Sequence, residues 1–302
     1  QNTTARNEHD NPEMISGVFQ GKSTGTPITI LFRNEDADPK AYRPLKDLFR
    51  PGHADYTYHM KYGIRDYRGG GRSSGRETVC RVAAGAIAKQ ILLKRGITIL
   101  AYTIQIGRIA AKEKNLFEVP KNILRCPDIQ AWPKMQKRIE TVRKTGDSIG
   151  AVVECMIKNI PAGIGEPVFG KLDAELSKSI MSIGGTKGIE FGAGFGIAKL
   201  TGSKANDEMQ IKARKPGFKS NNAGGILGGI STGQEIVFRV AVKPPSSIRK
   251  EQQTITSKGK DAMVKVEGRH DPCLVPRIIP VIESMAALTL LDMVMIDDAR
   301  IK

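Results

Sequence analysis

The sequence predicts an α+β fold with largely antiparallel sheets and a central layer of helix. Three observations lead there. The 32 glycines are scattered through turns between apolar runs, as expected of many strands joined by tight loops. Strand and helix patterns follow one another without regular βαβ alternation, which disfavours a doubly wound parallel sheet. Residues Pro280 to Met295 are apolar nearly all round and predict a buried helix.

In order, Met14 to Phe19 and Pro27 to Phe32 read as strands, with turns at Gly21 to Gly25 and Asp36 to Lys40. Ser74 followed three residues later by Glu77 predicts a capping box opening a helix. From Arg76 to Arg95 that helix carries Val79, Val82, Ala83, Ala86, Ile87 and Ile91 at helical spacing, with Lys94, Arg95 and Gly96 as its stop. Ile97 to Ile109 and Ile149 to Lys158 read as strands around a charged helix over Asp128 to Lys144, kinked or delayed by Pro133. Leu172, Leu176, Ile180 and Ile183 mark an amphipathic helix, and Ile236 to Val242 alternates as a strand. The polar, basic stretch from Gly202 to Ser220 lacks periodicity and is expected to be a mobile surface loop, the part from 204 to 219 having no assigned role. No linker composition divides the 302 residues, so a single domain over 1–302 is expected.

The 47 Lys and Arg against 31 Asp and Glu give a formal charge of +16, which points to anionic partners: nucleic acid, anionic membrane or small polyanions. Nucleic-acid binding is the alternative class. It is weakened by the low aromatic content, 5%, and by the absence of an RNA-recognition signature, zinc-finger spacing or basic heptads. The longest apolar run, Met285 to Ile296, is broken by Asp292, so no membrane span is expected. Cys80, Cys126, Cys155 and Cys273 lie far apart, suggesting neither a metal site nor a disulfide framework, and a cytoplasmic protein with reduced thiols is expected.

The stretch GIRDYRGGGRSSGRET at 63–78 gathers arginines, three consecutive glycines and two serines at a helix start. Backbone N–H groups there attract anions, the glycines allow close approach, and Arg68, Arg72 and Arg76 offer the two-pronged donor geometry that phosphates and carboxylates accept. GVFQGKST at 17–24 fails phosphate-loop spacing by one residue, and Gly192, Gly194 and Gly196 lack the last glycine of a dinucleotide fingerprint, so both are read as turns. RPGHADYTY at 50–58 puts Arg50 and His53 at a Pro51–Gly52 turn, and GRHDPC at 268–273 puts Arg269, His270 and Asp271 before Pro272. Each alone is more often a structural turn than a site.

Taken together, RPGHADYTY, KYGIRDYRGGGRSSGRETVCRVAAGAIAK, GDSIGA, GEPVFGKLDAELSKSIMSI, AGGILGGISTG, KPPSSI and GRHDPC resemble the chorismate synthase family over nearly the whole chain. The resemblance implies a β-α-β sandwich subunit in a homotetramer. It implies a lyase that converts 5-enolpyruvylshikimate-3-phosphate to chorismate, the precursor of aromatic amino acids, by anti 1,4-elimination of phosphate. Reduced FMN serves without net redox change, and whether NADPH reduces it in this protein is not written in any motif. The family pattern places Arg72, Ser73, Ser74, Gly184, Gly185, Gly228, Lys243, Pro244, Pro245, Ser246, Ser247 and Arg269 around FMN, and Arg50, Arg76 and Arg269 on the substrate anions. His53 matches the histidine proposed to protonate reduced flavin, and Asp271 the carboxylate proposed to act in removing the C6 proton. The family's FGESHG segment is not found in a chain that starts at Gln1, and Gly75 and Pro245 stand where alanine and threonine are common.

Overall fold

A computed structural model describes residues 10–34, 39–68, 71–212, 214–267 and 270–300. In chain order its principal elements are helices α1 (Asp55–Tyr62) and α2 (Thr78–Lys94), then strands β1 (Thr98–Ile106) and β2 (Ile109–Ala110). Helix α3 (Trp132–Lys144), strand β3 (Ala151–Lys158), helix α4 (Leu172–Met181) and strand β4 (Thr186–Phe191) follow. The short helix α5 (Gly202–Ala205), strand β5 (Ile236–Val242) and the 24-residue helix α6 (Val275–Asp298) complete the set. The mixture of helices and antiparallel sheets is the α+β class expected from the sequence.

The five strands form one antiparallel sheet in the order β2-β1-β3-β5-β4. Pairing sets Ala101, Cys155, Phe238 and Phe191 in one row and Thr103, Val153, Val240 and Ile189 in another, and these rows face the main core. The neighbouring row, Tyr102, Glu154, Arg239 and Glu190, points to the other face because side chains alternate along a strand. There it forms a polar chain: Tyr102 Oη donates to Glu154 (2.5 Å), and Arg239 donates to Glu154 (2.9 Å) and Glu190 (3.0 Å).

Helix α6 lies in the core, with Ile279, Ile282, Ala286, Ala287 and Leu290 fully buried. It starts at Val275, five residues before the expected Pro280, and is long and apolar enough by length and composition to cross a membrane. The apolar run counted from Met285 missed the half that precedes it. Most of the helix is nevertheless buried against protein.

Helix α2 packs on α6 through a seam the sequence pattern did not single out. Its buried residues are Gly85, Ala88 and Leu92, whereas Ala86 and Ile91 of the predicted stripe are exposed. A side chain on Gly85 would meet Ser284 Cβ at 2.2 Å and Cα at 2.5 Å, so the backbones approach too closely for a methyl group. Small residues make that seam, and an apolar-residue pattern does not detect them.

Other expectations were adjusted locally. The first strand breaks at Gly17, whose φ of +81° separates Glu13–Ser16 from Val18–Phe19. Pro133 sits in the first turn of α3, where its missing N–H costs nothing, so it delays the helix without kinking it. The stretch 202–220, expected to be a mobile surface loop, holds α5 and a hairpin of Met209–Lys212 with Lys215–Phe218. Asp207 pins it by accepting from Ser220 Oγ and from the backbone N–H groups of Asn222 and Ala223. The turn expected at 36–40 falls largely outside the described residues.

Candidate functional site

Five segments far apart in the sequence meet at one end of the sheet, where β5 ends at Val242, β3 begins at Ala151 and β4 begins at Thr186. The close approaches need glycine. A Cβ on Gly150 would fall 2.7 Å from Val242 O, and one on Gly185, at φ +99°, 2.9 Å from Leu274 Cδ1. Lys243 N–H donates to Gly185 O (2.8 Å), Ser148 Oγ to Pro245 O (2.6 Å) and Ile149 N–H to Pro272 O (2.9 Å). Thus Gly184–Gly185, Lys243–Ser247 and Asp271–Pro272 are drawn to one place by backbone contacts.

The RPGH turn closes over them. His53 N–H donates to Arg50 O (3.1 Å), and Gly52 takes φ +67°. Gly52 O accepts from Ser246 Oγ (2.7 Å) and from Lys243 Nζ, and Lys243 Nζ also donates to Ser246 Oγ (2.7 Å). Arg50 Nη1 reaches Ser247 Oγ at 3.5 Å. The catalytic candidate His53, the substrate candidate Arg50 and the cofactor candidates Lys243, Ser246 and Ser247 therefore form one cluster across almost 200 residues of sequence.

Sequence reasoning missed what holds the turn in place. The segment after His53 is helix α1, and its first residue, Asp55, is 4% exposed. One carboxylate oxygen of Asp55 accepts from Arg50 N–H (3.1 Å) and Arg50 Nε (2.7 Å); the other takes Arg50 Nη2 (2.9 Å) and lies 2.9 Å from His53 Nδ1. Arg65, whose side chain is 8% exposed, stands 3.3 Å from the same oxygen, donates to the carbonyls of Leu45, Lys46 and Leu48, and lies over the Phe49 ring. Burial alone would raise the Asp55 carboxyl; the Arg50 and His53 hydrogen bonds outweigh it and hold the group far below the usual carboxylate range. An acid at the first position of a tyrosine-rich helix was the available signal, and it lay inside the quoted motif. The cost of burying two guanidiniums is offset by this shared carboxylate. Arg50 offers a ligand chiefly Nη1, since Nε and Nη2 serve Asp55.

Anion demand remains on the same side. Burial, then the nearby charge of Lys187, hold the Lys243 ammonium below its ordinary value, the mark of a cation lacking enough negative charge. Asp271 lies 3.5 Å from Arg277 Nε. Burial, then the Arg50 charge, lower the His270 imidazole, and its buried Nε2 has no hydrogen-bond partner among the described residues. The Lys243 cation suits an anionic ligand such as a flavin phosphate, and the His270 ring nitrogen offers a hydrogen-bonding position beside it.

The glycine-arginine loop stands at the edge of this cluster. Ser74 Oγ accepts from Arg76 N–H (3.3 Å), but Glu77 turns forward to Arg81 (3.1 Å) instead of closing the capping box, and Gly75–Glu77 is a short 3-10 turn. Arg81 donates to Ser182 Oγ (2.6 Å), two residues before Gly184, which brings the start of α2 toward the Gly184–Gly185 turn. Arg72 is exposed and Ser73 and Ser74 half-buried. Arg76 pairs with Asp10 and donates to Arg33 O (3.1 Å). Gly228 is not brought in: Gly229 O accepts from Leu172 N–H at the start of α4, and α4, about 15 Å long, lies between it and Gly184. Arg269 lies outside the described residues. Among the described residues, no cluster of His, Cys, Asp or Glu fits a metal ion.

A sequence model of the family described as chorismate synthase matches residues 1–295. The chain is 50% identical over 291 residues to a protein of Roseiflexus castenholzii named chorismate synthase, covering 96% of this chain and 81% of that one. It is 50% identical over 295 residues to one of the same name from Methanosarcina barkeri, with the same coverage. Among solved structures, one titled "Crystal Structure of Chorismate Synthase" superposes with a TM-score of 0.74 at 30% identity, covering 95% of this chain and 78% of that one.

Proposed function

The chain belongs to the chorismate synthase family, and from that premise we propose that it converts 5-enolpyruvylshikimate-3-phosphate to chorismate and phosphate at the end of the sheet where the five segments meet. The observation that carries the assignment is the union of the RPGH turn with Lys243–Ser247 beside Asp271, which joins cations, hydroxyls, an imidazole and a carboxylate. In the reaction one C–O bond and one C6–H bond break and one C=C bond forms; phosphate leaves with the C–O electron pair.

Arg50 Nη1, Arg76 and Arg269 bind the substrate's phosphate and carboxylates, each charge-assisted contact contributing about 1.5–3 kcal/mol before ordering costs. Asp271 takes the C6 proton on its carboxylate, and His53 would give a ring proton to the reduced flavin when that is bound. Reduced FMN, held by Arg72, Ser73, Ser74, Gly184, Gly185 and Lys243 to Ser247, supplies reversible electron donation, so that substrate and product stay at one oxidation level. The partly buried Lys243 cation supports a bound anion of this kind. A homotetramer is part of the proposal: Phe169 and Phe195 are 94% and 84% exposed, surfaces that assembly would cover. In an assembly Gly228 is free to serve a neighbouring subunit's pocket, being remote from its own.

The test is anaerobic incubation with the substrate and chemically reduced FMN. Equal release of phosphate and chorismate is expected. Absence of product together with failure to bind FMN in preference to other polyanions would overturn the proposal.

A further inference from the structure

Asp55 reaches both functional side chains of the RPGH turn, and nothing in the family pattern carried over above gives it a role. Its two oxygens face five donor contacts: Arg50 N–H, Nε and Nη2, Arg65 Nη1 and His53 Nδ1. This pattern decides how the imidazole is protonated. His53 Nδ1 lies 2.9 Å from Asp55 Oδ1 and 3.1 Å from Arg50 Nη2. A guanidinium only donates and an ionised carboxylate only accepts, so Nδ1 is satisfied by one of them, not both. Arg50 Nη2 already has an acceptor, Asp55 Oδ1 at 2.9 Å, whereas an unprotonated Nδ1 would set its lone pair against that oxygen. The consistent arrangement places a proton on Nδ1, donated to Asp55. That leaves Nε2, which makes no hydrogen bond within the described residues, as the nitrogen able to gain or lose a proton.

We propose that Asp55 is a positioning residue that fixes His53 as the Nδ1–H tautomer and holds Arg50 beside it, so that proton transfer runs through His53 Nε2. The inference rests on the reading of His53 as the proton donor. In each transfer the Nε2 proton passes to the bound acceptor, the ring returns to the neutral Nδ1–H form, and Asp55 stays ionised throughout. Hydrogen bonds from buried Arg50 and from His53 keep it ionised against the cost of burial, with Arg65 beside the same carboxylate. The charges facing the ring are Asp55 and Arg50, with Arg65 on the same Asp55 oxygen, and Arg50 also faces His270. Asp55 thereby does for His53 what a buried carboxylate does for any catalytic histidine, setting tautomer and ring orientation without touching substrate.

The test reads the ring directly, without cofactor or substrate. In protein labelled with ¹⁵N-histidine, two-bond correlations distinguish protonated from bare ring nitrogens, and the His53 signals are assigned by their loss in His53→Gln. Wild-type protein is expected to show a protonated Nδ1 and a bare Nε2 once the ring is neutral. The opposite tautomer in wild type overturns the proposal outright, whatever the variants do. Asp55→Asn is expected to mix the tautomers and lower kcat at least about a hundredfold with FMN affinity kept within about threefold. Asp55→Glu keeps the charge opposite the arginines, so it folds where Asp55→Asn fails, and it is expected to recover part of kcat. A folded variant with wild-type ring signals and wild-type kcat refutes the role. If wild-type protein turns over no substrate, the lyase reading fails, while the ring spectrum still judges Asp55.

Discussion

Replacing Gly85 by alanine puts a methyl group into the tightest helix contact of the fold. The added Cβ would stand 2.2 Å from Ser284 Cβ, 2.5 Å from Ser284 Cα and 2.6 Å from Ser284 Oγ. Carbon atoms prefer about 3.5–4.0 Å, so α2 and α6 have to part by about 1 Å, since one contact is backbone and does not swing away. A gap of that size forfeits a quarter to a half of the dispersion energy along the seam. Overpacking of this kind costs about 1–3 kcal/mol, with the upper end fitting a backbone clash, while alanine in a helix interior returns about 1 kcal/mol. The net expectation is a loss of about 2 kcal/mol. Urea unfolding followed through Trp132, the single tryptophan, should show a lower midpoint at unchanged slope. Gly75→Ala is the control: nothing lies within 4 Å of its Cβ and its φ is not left-handed, so its midpoint should not fall. A Gly85→Ala midpoint equal to or above wild type would show that the helices yield at no cost and refute the reasoning.

Asp271→Asn should lower kcat by more than about tenfold while FMN affinity changes little; retention of more than about a tenth of wild-type turnover would contradict its role as base. Lys243→Met should weaken FMN binding by about tenfold to a hundredfold, read by flavin fluorescence titration, because it removes one charged donor from a partly buried anion site. Stability should decline as pH falls below about 4. Burial works against Asp55, Asp128, Glu154 and Asp207, but surrounding donors outweigh it and set each folded carboxyl below its unfolded value, so their contribution is complete above the unfolded value and lost as pH falls through the folded one. Asp128→Asn, which weakens acceptance from Lys112, Glu113, Gln130 and Ala131 N–H, should flatten that decline measured by urea midpoints between pH 5 and 3. A thiol reagent should modify Cys80 alone in native protein and all four cysteines after denaturation, because the other three are buried; fast reaction of a second thiol in the native state would contradict the burial.

Strands β1, β3 and β5 and the long helices were legible because strand alternation and apolar runs report burial directly, whereas the half-exposed edge strand β4 was not read. Ile236 to Val242 was placed to the residue, since each inward side chain is fully or nearly buried and each outward one is not. Helix α1 was not seen: DYTYHMKY buries only Asp55, so it has no apolar stripe to read. The inward face of α2 was misplaced because Gly85 and Ala88 pack by being small. The site residues came from motif resemblance, and the fold gathers Arg50, His53, Gly185, Lys243, Ser246 and Ser247 through contacts that no local pattern encodes. Gly228 lies at the far end of α4 from Gly184, a separation that the motif match does not encode.

The strand order has a consequence for synthesis. Among the described residues β4 pairs only with β5, which is made about fifty residues later and inserts between β3 and β4. A chain emerging amino end first therefore carries an unpaired β4, and an RPGH turn without its Lys243 and Ser246 partners, until residue 247 has left the ribosome. Release of the last quarter of the chain closes sheet and pocket together, so nascent chains halted before that point should be protease-sensitive through β4 and unable to retain flavin.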